Sequence, residues 1–152
     1  MKSMRNLIFI ISLLIITTNT TFAKEKIEKP KTWQEARAFF WKHINKANDN
    51  QVIIIPRGTL NCRDEDSLKK GVKILIRTNS PLTVKRYGCN YTDTTTRGLI
   101  TDGKNGSNIV RIAYQVGNYE KGFSPDSSNV GHRYFYWPNV HTLADEKKWE
   151  VK

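Results

Sequence analysis

Two histidines near the C-terminus, His132 and His141, are the residues best suited to acid–base chemistry. With Arg133, and with Arg111 or Lys85 from neighbouring segments, they match the needs of phosphodiester cleavage. One imidazole removes the 2′-hydroxyl proton, the other protonates the leaving oxygen, and the cations stabilise the charge on phosphorus. The spacing is not diagnostic, and two surface or half-buried histidines are the simpler interpretation. A secreted ribonuclease-type toxin is therefore an alternative hypothesis only.

Four consecutive aromatic residues, Tyr134–Trp137, form a second candidate site. On a strand their side chains point alternately to both faces, so one face presents either Tyr134 and Tyr136 or the other pair. Exposed tyrosines beside Arg111 and Arg133 suit sugar rings, peptide stems or nucleobases. The sequence predicts these two tyrosines and two arginines as a basic and aromatic binding surface. The alternative is that the first predicted helix covers that face.

The two cysteines, Cys62 and Cys89, favour a disulfide over catalysis or metal binding. An even number of cysteines in an exported chain is typical of a bridge, and two cysteines allow one pairing. The spacing is not that of a zinc motif. His132, His141 and Asp145 are also too loosely spaced for a metal motif. The sequence predicts a bridge between the helical half and the β half of the chain, with no metal and no cofactor.

Residues 1–23 have the order of a secretory signal peptide. Lys2 and Arg5 precede the apolar run Leu7–Ile16, and Thr21–Ala23 fits a small-x-small cleavage site. The run is about half the roughly 20 residues that a membrane-spanning helix needs. We therefore predict export to the periplasm or beyond, with cleavage after Ala23. The mature protein would be one domain, residues 24–152, that does not span the membrane.

The charge of the mature part is strongly positive. Residues 1–23 hold two of the 25 basic residues and none of the 14 acidic ones, so 23 basic and 14 acidic residues remain and the net charge is +9. Such a chain is attracted to polyanions. For an exported protein these are anionic lipid, lipopolysaccharide or teichoic acid, acidic glycans and nucleic acid outside the cell. Cytoplasmic nucleic acid is not an expected partner. A solvated basic surface without a specific partner is the alternative.

The N-terminal half predicts helices around one buried strand. Thr32 and Glu35 have the spacing of a capping box, followed by apolar residues at helical intervals. The β-branched run Gln51–Ile55 predicts a buried strand. A second helix begins after Asn61 or Asp64. A strand over Val72–Ile76 is the competing interpretation, because apolar residues also alternate there.

The C-terminal half predicts short strands and turns. The expected strands are Leu82–Tyr87, Arg97–Thr101, Asn108–Gln115 and His132–Trp137, with polar loops at 88–96 and 117–129 and one helical turn at Asn139–Leu143. The middle two strands flank a Gly/Asn/Asp cluster typical of a hairpin.

This half resembles a bacterial SH3-like domain over residues 82–143. Leu82–Val84 after a proline turn is similar to the first barrel strand, and Asn108–Ile112 to an alternating strand beside a glycine loop. The segment Gly131–Trp137, with Pro138–Leu143 after it, resembles the closing strand and its one-turn helix. The two long polar loops depart from the family pattern. The resemblance implies cell-wall targeting or protein binding and supplies no catalytic residues.

Together these patterns predict an α+β fold in which N-terminal helices pack on a small, mostly antiparallel, SH3-like β-barrel. The leading functional hypothesis is a non-enzymatic binding module of the cell envelope, whose partner is a polyanion, the cell wall or a protein. The alternatives are the ribonuclease-type toxin and an inhibitor or immunity partner of an envelope enzyme. The oligomeric state is left open.

Overall fold

A computed structural model describes residues 29–103, 106–116 and 129–150. These residues form α-helices and a seven-stranded antiparallel sheet, so the predicted α+β class is confirmed. The helices are α1 (Trp33–His43), α2 (Glu65–Thr78) and α3 (Leu143–Glu150). The strands are β1 (Val52–Ile55), β2 (Leu60–Cys62), β3 (Cys89–Tyr91), β4 (Thr96–Asp102), β5 (Ile109–Val116), β6 (Asn129–Tyr136) and β7 (His141–Thr142).

The first helix begins at the predicted capping box. Thr32 Oγ1 accepts a hydrogen bond from the Glu35 backbone N–H at 3.2 Å, and the Glu35 carboxylate accepts one from the Thr32 N–H at 3.2 Å. Both bonds satisfy N–H groups that a helix leaves without intrahelical partners. The apolar stripe then buries Ala36 and Phe40 completely. The local sequence therefore sets both the start of α1 and the face that it buries.

The second helix begins at Asp64. Its carboxylate accepts hydrogen bonds from the Ser67 backbone N–H at 2.7 Å and the Ser67 hydroxyl at 2.8 Å, which lower the pKa of the carboxyl group. The helix continues to Thr78 and ends at Asn79, which adopts a left-handed conformation with φ 48°. The competing strand over Val72–Ile76 is therefore wrong. The capped start allows the apolar residues to face the sheet at helical spacing.

The sheet has the order β3-β2-β6-β5-β4-β1-β7. Its centre is the long pairing of β5 with β6, from Ile109 opposite Tyr136 to Val116 opposite Asn129. Strands β4 and β5 pair as the predicted hairpin. At the start of their connection Gly103 has φ 90°, and a Cβ there would overlap the Ile109 carbonyl oxygen, so glycine is required.

The sheet is strongly curled but open. Strands β1 and β2 occupy its sixth and second positions, yet only residues 56–59 join them. Those residues form a tight turn in which the Thr59 hydroxyl donates to the Pro56 carbonyl at 2.7 Å. A flat sheet would separate the two strands by roughly 19 Å, which this turn does not span. The sheet therefore curls, but its outermost strands β3 and β7 do not pair with each other, and the predicted closed barrel is not shown.

Each face of the sheet carries its own core. Among the described residues, the concave face holds a cluster without helical members, in which Ile55, Ile112 and Phe135 are fully buried. The outer face is covered by helices. Helix α1 packs on Val52, Leu99, Ala113 and Val130, and α2 packs on Leu60, Cys62, Cys89 and Ile109. His132 is the outer-face residue of β6 between these two footprints, since side chains alternate along a strand and Tyr134 packs against the α2 cluster.

The expected first barrel strand, Leu82–Tyr87, is wrong. Residues Thr83–Tyr87 form a 3-10 helix that follows the turn at the end of α2 and buries only Val84. The strand next to β2 is β3, which lies inside the predicted polar loop 88–96. The expected helical turn at Asn139–Leu143 is also displaced, because the turn forms at Trp137–Asn139 and β7 follows it.

The predicted disulfide is confirmed. Cys62 and Cys89 are directly opposite each other on β2 and β3, with their Cα atoms 4.0 Å apart. Helix α2 lies over the bridge, and Gly71 makes this approach possible: a Cβ at that position would be 3.1 Å from Sγ of Cys89. The bridge therefore links two neighbouring strands beneath α2, rather than a pre-helical segment and a loop.

The predicted signal peptide, residues 1–23, lies outside the described residues, as does most of the predicted loop 117–129. Of the helices in the described part of the chain, none has the length and apolar character needed to cross a membrane.

Candidate functional site

A cavity of about 980 Å³ adjoins the first half of β6. Its walls include three cationic side chains, Lys85, Arg111 and Arg133, and one carboxylate, Asp93. Aromatic rings of Trp33, Tyr91 and Tyr114 also line it. The structure thus gathers cations and aromatic rings from α1, the 3-10 helix and strands β3, β5 and β6 around one space.

The cavity exists because β6 is paired on only one side over much of its length. Strand β2 pairs with β6 at a single position, Cys62 opposite Tyr134. Among the described residues, the segment Asn129–Arg133 therefore has no strand on the side away from β5. Backbone groups at such an edge are available for hydrogen bonding. One of them, the Val130 carbonyl, accepts a hydrogen bond of 2.5 Å from the indole N–H of Trp33.

His132 is held in the cavity wall as a neutral imidazole. Its Nε2 lies 2.8 Å from the Thr101 hydroxyl, and that hydroxyl donates to the Arg111 carbonyl at 3.1 Å. Because the hydroxyl has one proton, the network assigns the imidazole proton to Nε2 and leaves Nδ1 as an acceptor. Burial, and secondly the Arg111 cation, lower the pKa of His132 from 6.5 to about 4.

Four residues that line the cavity carry buried polar atoms without hydrogen-bond partners among the described residues. They are Tyr91 Oη, Arg111 Nε, Gln115 Oε1 and His132 Nδ1. Buried polar atoms are almost always paired, since an unpaired one costs roughly 1–3 kcal/mol. These four atoms have almost no accessible surface, so they lie within the cavity wall and not on its open side.

Arg111 and Arg133, the two predicted arginines, lie on opposite faces of the sheet, and both side chains line the cavity. Arg111 on β5 lies on the outer face, where its guanidinium is 5.2 Å from the ring centre of Tyr134. Arg133 on β6 donates from Nη1 to the Gly88 carbonyl at 3.2 Å. Each guanidinium is therefore positioned by one contact and retains further donors.

Tyr114 is a cavity residue that the sequence did not single out. Its ring lies over Gly131, so that a Cβ there would be 2.5 Å from the tyrosine Cζ. The ring also packs edge-on against Phe135 at 5.4 Å between centres. Burial raises the pKa of the Tyr114 hydroxyl. The glycine next to His132 was the only sequence signal, since glycine inside a strand marks a close approach.

The predicted tyrosines do not form an exposed aromatic face. Phe135 is fully buried on the concave face, while Tyr134 and Tyr136 are half-buried on the outer face against the cluster of α2. The covering element is therefore α2, not the first helix as the alternative proposed. Tyr134 contributes to the site through its contact with Arg111, and Tyr136 does not line the cavity.

The structure does not bring His132 and His141 together. His141 lies on β7, at the far edge of the sheet, and three strands separate β7 from β6. Both side chains lie on the outer, convex face, so the curl of the sheet turns them away from each other. His141 instead packs against Trp149 at 4.8 Å between ring centres, with Nε2 3.8 Å from the Glu146 carboxylate. Lys85, Arg111 and Arg133 do converge with His132, so part of the phosphodiester-cleaving set shares one cavity.

In the described part of the chain, no group of three or more His, Cys, Asp or Glu side chains is arranged to hold a metal ion. Comparison of the chain with protein-family profiles, with curated proteins and with solved structures finds no match.

Proposed function

We propose that this protein is an exported, non-enzymatic binding module of the cell envelope, and that the cavity beside β6 holds an acidic group of its ligand. The observation that carries the proposal is the convergence of three cations, Lys85, Arg111 and Arg133, with aromatic rings around one cavity.

Charge supports an anionic ligand. Three cations and one carboxylate line the cavity, and His132 adds no positive charge near neutral pH because its pKa is about 4. The walls of a concave site strengthen such a field, since they exclude solvent. Guanidinium groups also match carboxylate and phosphate oxygens geometrically.

The aromatic rings support a ligand with flat, partly apolar faces. Trp33 is 45% exposed, so its ring remains available although its N–H is bonded to Val130. Tyr91 and Tyr114 contribute two further rings, Tyr91 from the outer face of the sheet and Tyr114 from the concave face. Cell-wall polymers and acidic glycans combine sugar rings with carboxylate or phosphate groups, and this combination fits the cavity better than a simple anion.

The test uses the full chain, expressed with its own N-terminus and recovered from the periplasmic fraction. Retention of the protein on purified peptidoglycan, with and without its teichoic acid, is measured against salt. The variant K85Q/R133Q should lose binding at least about tenfold, because each lost cation removes an interaction with the polyanion. The control K42Q/K46Q makes the same charge change on exposed residues of the α1 region. Equal losses in both variants would refute the cavity as the binding site.

The convergence of His132 with three cations also favours one second candidate, ribonuclease activity that depends on His132. Because the pKa of His132 is about 4, the imidazole is unprotonated at neutral pH and is a weak base. Cleavage of single-stranded RNA that is abolished by His132→Ala and unaffected by His141→Ala would establish this candidate. Absence of cleavage leaves the binding function as the interpretation to test.

A further inference from the structure

The segment Lys69–Tyr87, which runs from the middle of α2 through the 3-10 helix, carries a second basic surface. We propose that this surface docks the protein on an anionic lipid bilayer. The exposed residues concerned are Lys69, Lys70, Lys73, Ile76, Arg77, Leu82, Lys85, Arg86 and Tyr87, here called the α2 surface. Apart from Lys85, which also lines the cavity, its residues are distinct from the cavity, so the proposal does not depend on the cavity ligand.

The charge of this segment has one sign. No acidic residue occurs between Asp66 and Asp93, and six basic residues lie between them. Lys69 forms an ion pair with Glu65 at 2.6 Å. Among the described residues, the other five cations of the α2 surface have no carboxylate within ion-pair distance. Such a cluster attracts a negatively charged surface over about a Debye length.

Two large aliphatic side chains project from the same region. Ile76 is 78% exposed and Leu82 is 72% exposed, more than any other large apolar residue of the described chain. Helical spacing places Ile76 on one stripe with Lys69 and Lys73, opposite the buried Leu68 and Gly71. Exposed aliphatic groups surrounded by cations are typical of proteins that lie on a bilayer, where the chains enter the interface and the cations meet headgroups.

The turn that presents Leu82 is fixed by local hydrogen bonds. The Thr78 hydroxyl donates to the Ile74 carbonyl at 2.8 Å, and the Thr83 hydroxyl donates to the Ser80 carbonyl at 2.7 Å. Val84, which is fully buried, anchors the 3-10 helix against the α2 core. The α2 surface is therefore formed before it meets a partner, and binding requires little ordering of the chain.

Charge complementarity alone also fits nucleic acid or an acidic protein, but neither uses Ile76 and Leu82 as a bilayer does. An anionic bilayer offers both a negative surface potential and an apolar interior at the depth that short aliphatic side chains reach. The combination of cations and exposed aliphatic groups on α2 and the adjoining turn therefore favours lipid.

The experiment measures co-sedimentation of the periplasmic protein with phosphatidylcholine vesicles that contain or lack phosphatidylglycerol. We expect the protein to partition at least about tenfold more strongly onto the anionic vesicles. The variant I76S/L82S, with unchanged charge, should lose about tenfold of that partitioning because its aliphatic contacts are gone. The variant K73Q/R77Q should lose at least about tenfold and show a weaker dependence on salt.

Two controls separate docking from general attraction. K42Q/K46Q changes the charge equally on the α1 region, and Trp149→Ser removes an aromatic residue that is 60% exposed on α3. Both should bind anionic vesicles like the unchanged protein. All variants carry the same N-terminus, whose mass is recorded, so differences between them report on the α2 surface. The proposal is overturned if anionic vesicles give no gain, if I76S/L82S binds normally, or if K42Q/K46Q loses as much as K73Q/R77Q.

Discussion

The Thr101 hydroxyl and the His132 imidazole lie 2.8 Å apart and belong to one short hydrogen-bond chain that ends at the Arg111 carbonyl. Because Thr101 is buried on β4 and His132 lies on β6, the chain crosses β5 between them. The imidazole is thereby fixed in one tautomer beside a permanent cation, in an environment that disfavours its protonation.

This environment predicts a pH-dependent loss of stability. The pKa of His132 is about 4 when folded, against 6.5 as its ordinary value, so the unfolded chain binds the proton more readily. The contribution of the neutral His132 imidazole to the unfolding free energy is present above pH 6.5 and is lost as the pH falls from 6.5 to about 4. The full shift corresponds to about 3 kcal/mol, and partial exposure of the ring reduces the expected loss to about 1–2 kcal/mol.

Urea unfolding at pH 7 and pH 4 measures this loss. Between pH 7 and pH 4 the unchanged protein should lose about 1–2 kcal/mol more unfolding free energy than His132→Gln, because glutamine does not titrate. His43→Gln is the matched control, because His43 packs on Phe39 at 4.7 Å, outside the site. If His132→Gln and the unchanged protein lose stability in parallel, the imidazole is not held in its neutral form by the fold.

The disulfide predicts a large stability difference on its removal. Cys62 and Cys89 are 27 residues apart in sequence, and closing a loop of that length removes about 3–4 kcal/mol of chain entropy from the unfolded state. The variant C62A/C89A should lose about that much unfolding free energy. Denaturant unfolding measures it, and the intact mass with and without reductant confirms that the bridge is present. An unchanged unfolding free energy would contradict this account of the bridge.

The substitution Gly71→Ala should change the unfolding free energy in a direction that depends on whether the disulfide is present. Alanine is favoured over glycine in a helix by about 1 kcal/mol, but its Cβ would lie 3.1 Å from Cys89 Sγ and 3.8 Å from Cys62 Sγ. We expect Gly71→Ala to be neutral or destabilising in the bridged protein. In C62A/C89A, where the sulfur atoms are gone, the same change should stabilise by up to about 1 kcal/mol. The same sign in both backgrounds would show that helix α2 does not rest on the bridge.

The parts of the fold that were predictable are those fixed by short-range interactions. Thr32 and Glu35 set the start of α1 through hydrogen bonds within four residues, and Asp64 does the same for α2. The glycine-rich turn set the β4–β5 hairpin. The disulfide followed from arithmetic, since two cysteines allow one pairing.

The parts that were not predictable depend on distant strands. The alternation in Leu82–Tyr87 suggested a strand, but Thr83–Tyr87 form a 3-10 helix that packs Val84 against the α2 cluster. The cavity arises where β2 leaves β6 after one residue pair, which is a property of the curled sheet and not of any segment. Thus Arg111 and Arg133 line one cavity from opposite faces of the sheet, Tyr114 and Trp33 were missed as lining residues, and His141 was assigned to a site that it does not reach.

The contact between Tyr114 and Gly131 gives a test of the cavity wall itself. A Cβ at position 131 would be 2.5 Å from the tyrosine Cζ, so Gly131→Ala must displace a ring that is buried against Phe135. We expect a loss of about 1–3 kcal/mol in unfolding free energy, as in other overpacked cores, together with weaker retention on peptidoglycan.

Replacing Tyr114 separates the effect of Gly131→Ala on stability from its effect on retention on peptidoglycan. In Tyr114→Leu the clash with an alanine at position 131 is relieved, so the double variant should lose less stability than the sum of the single variants. Retention on peptidoglycan should stay weak in the double variant, because the ring remains missing from the cavity. Strictly additive stability losses would show that the ring does not lie over Gly131. Restored retention would show that the tyrosine ring is not part of the ligand-binding wall.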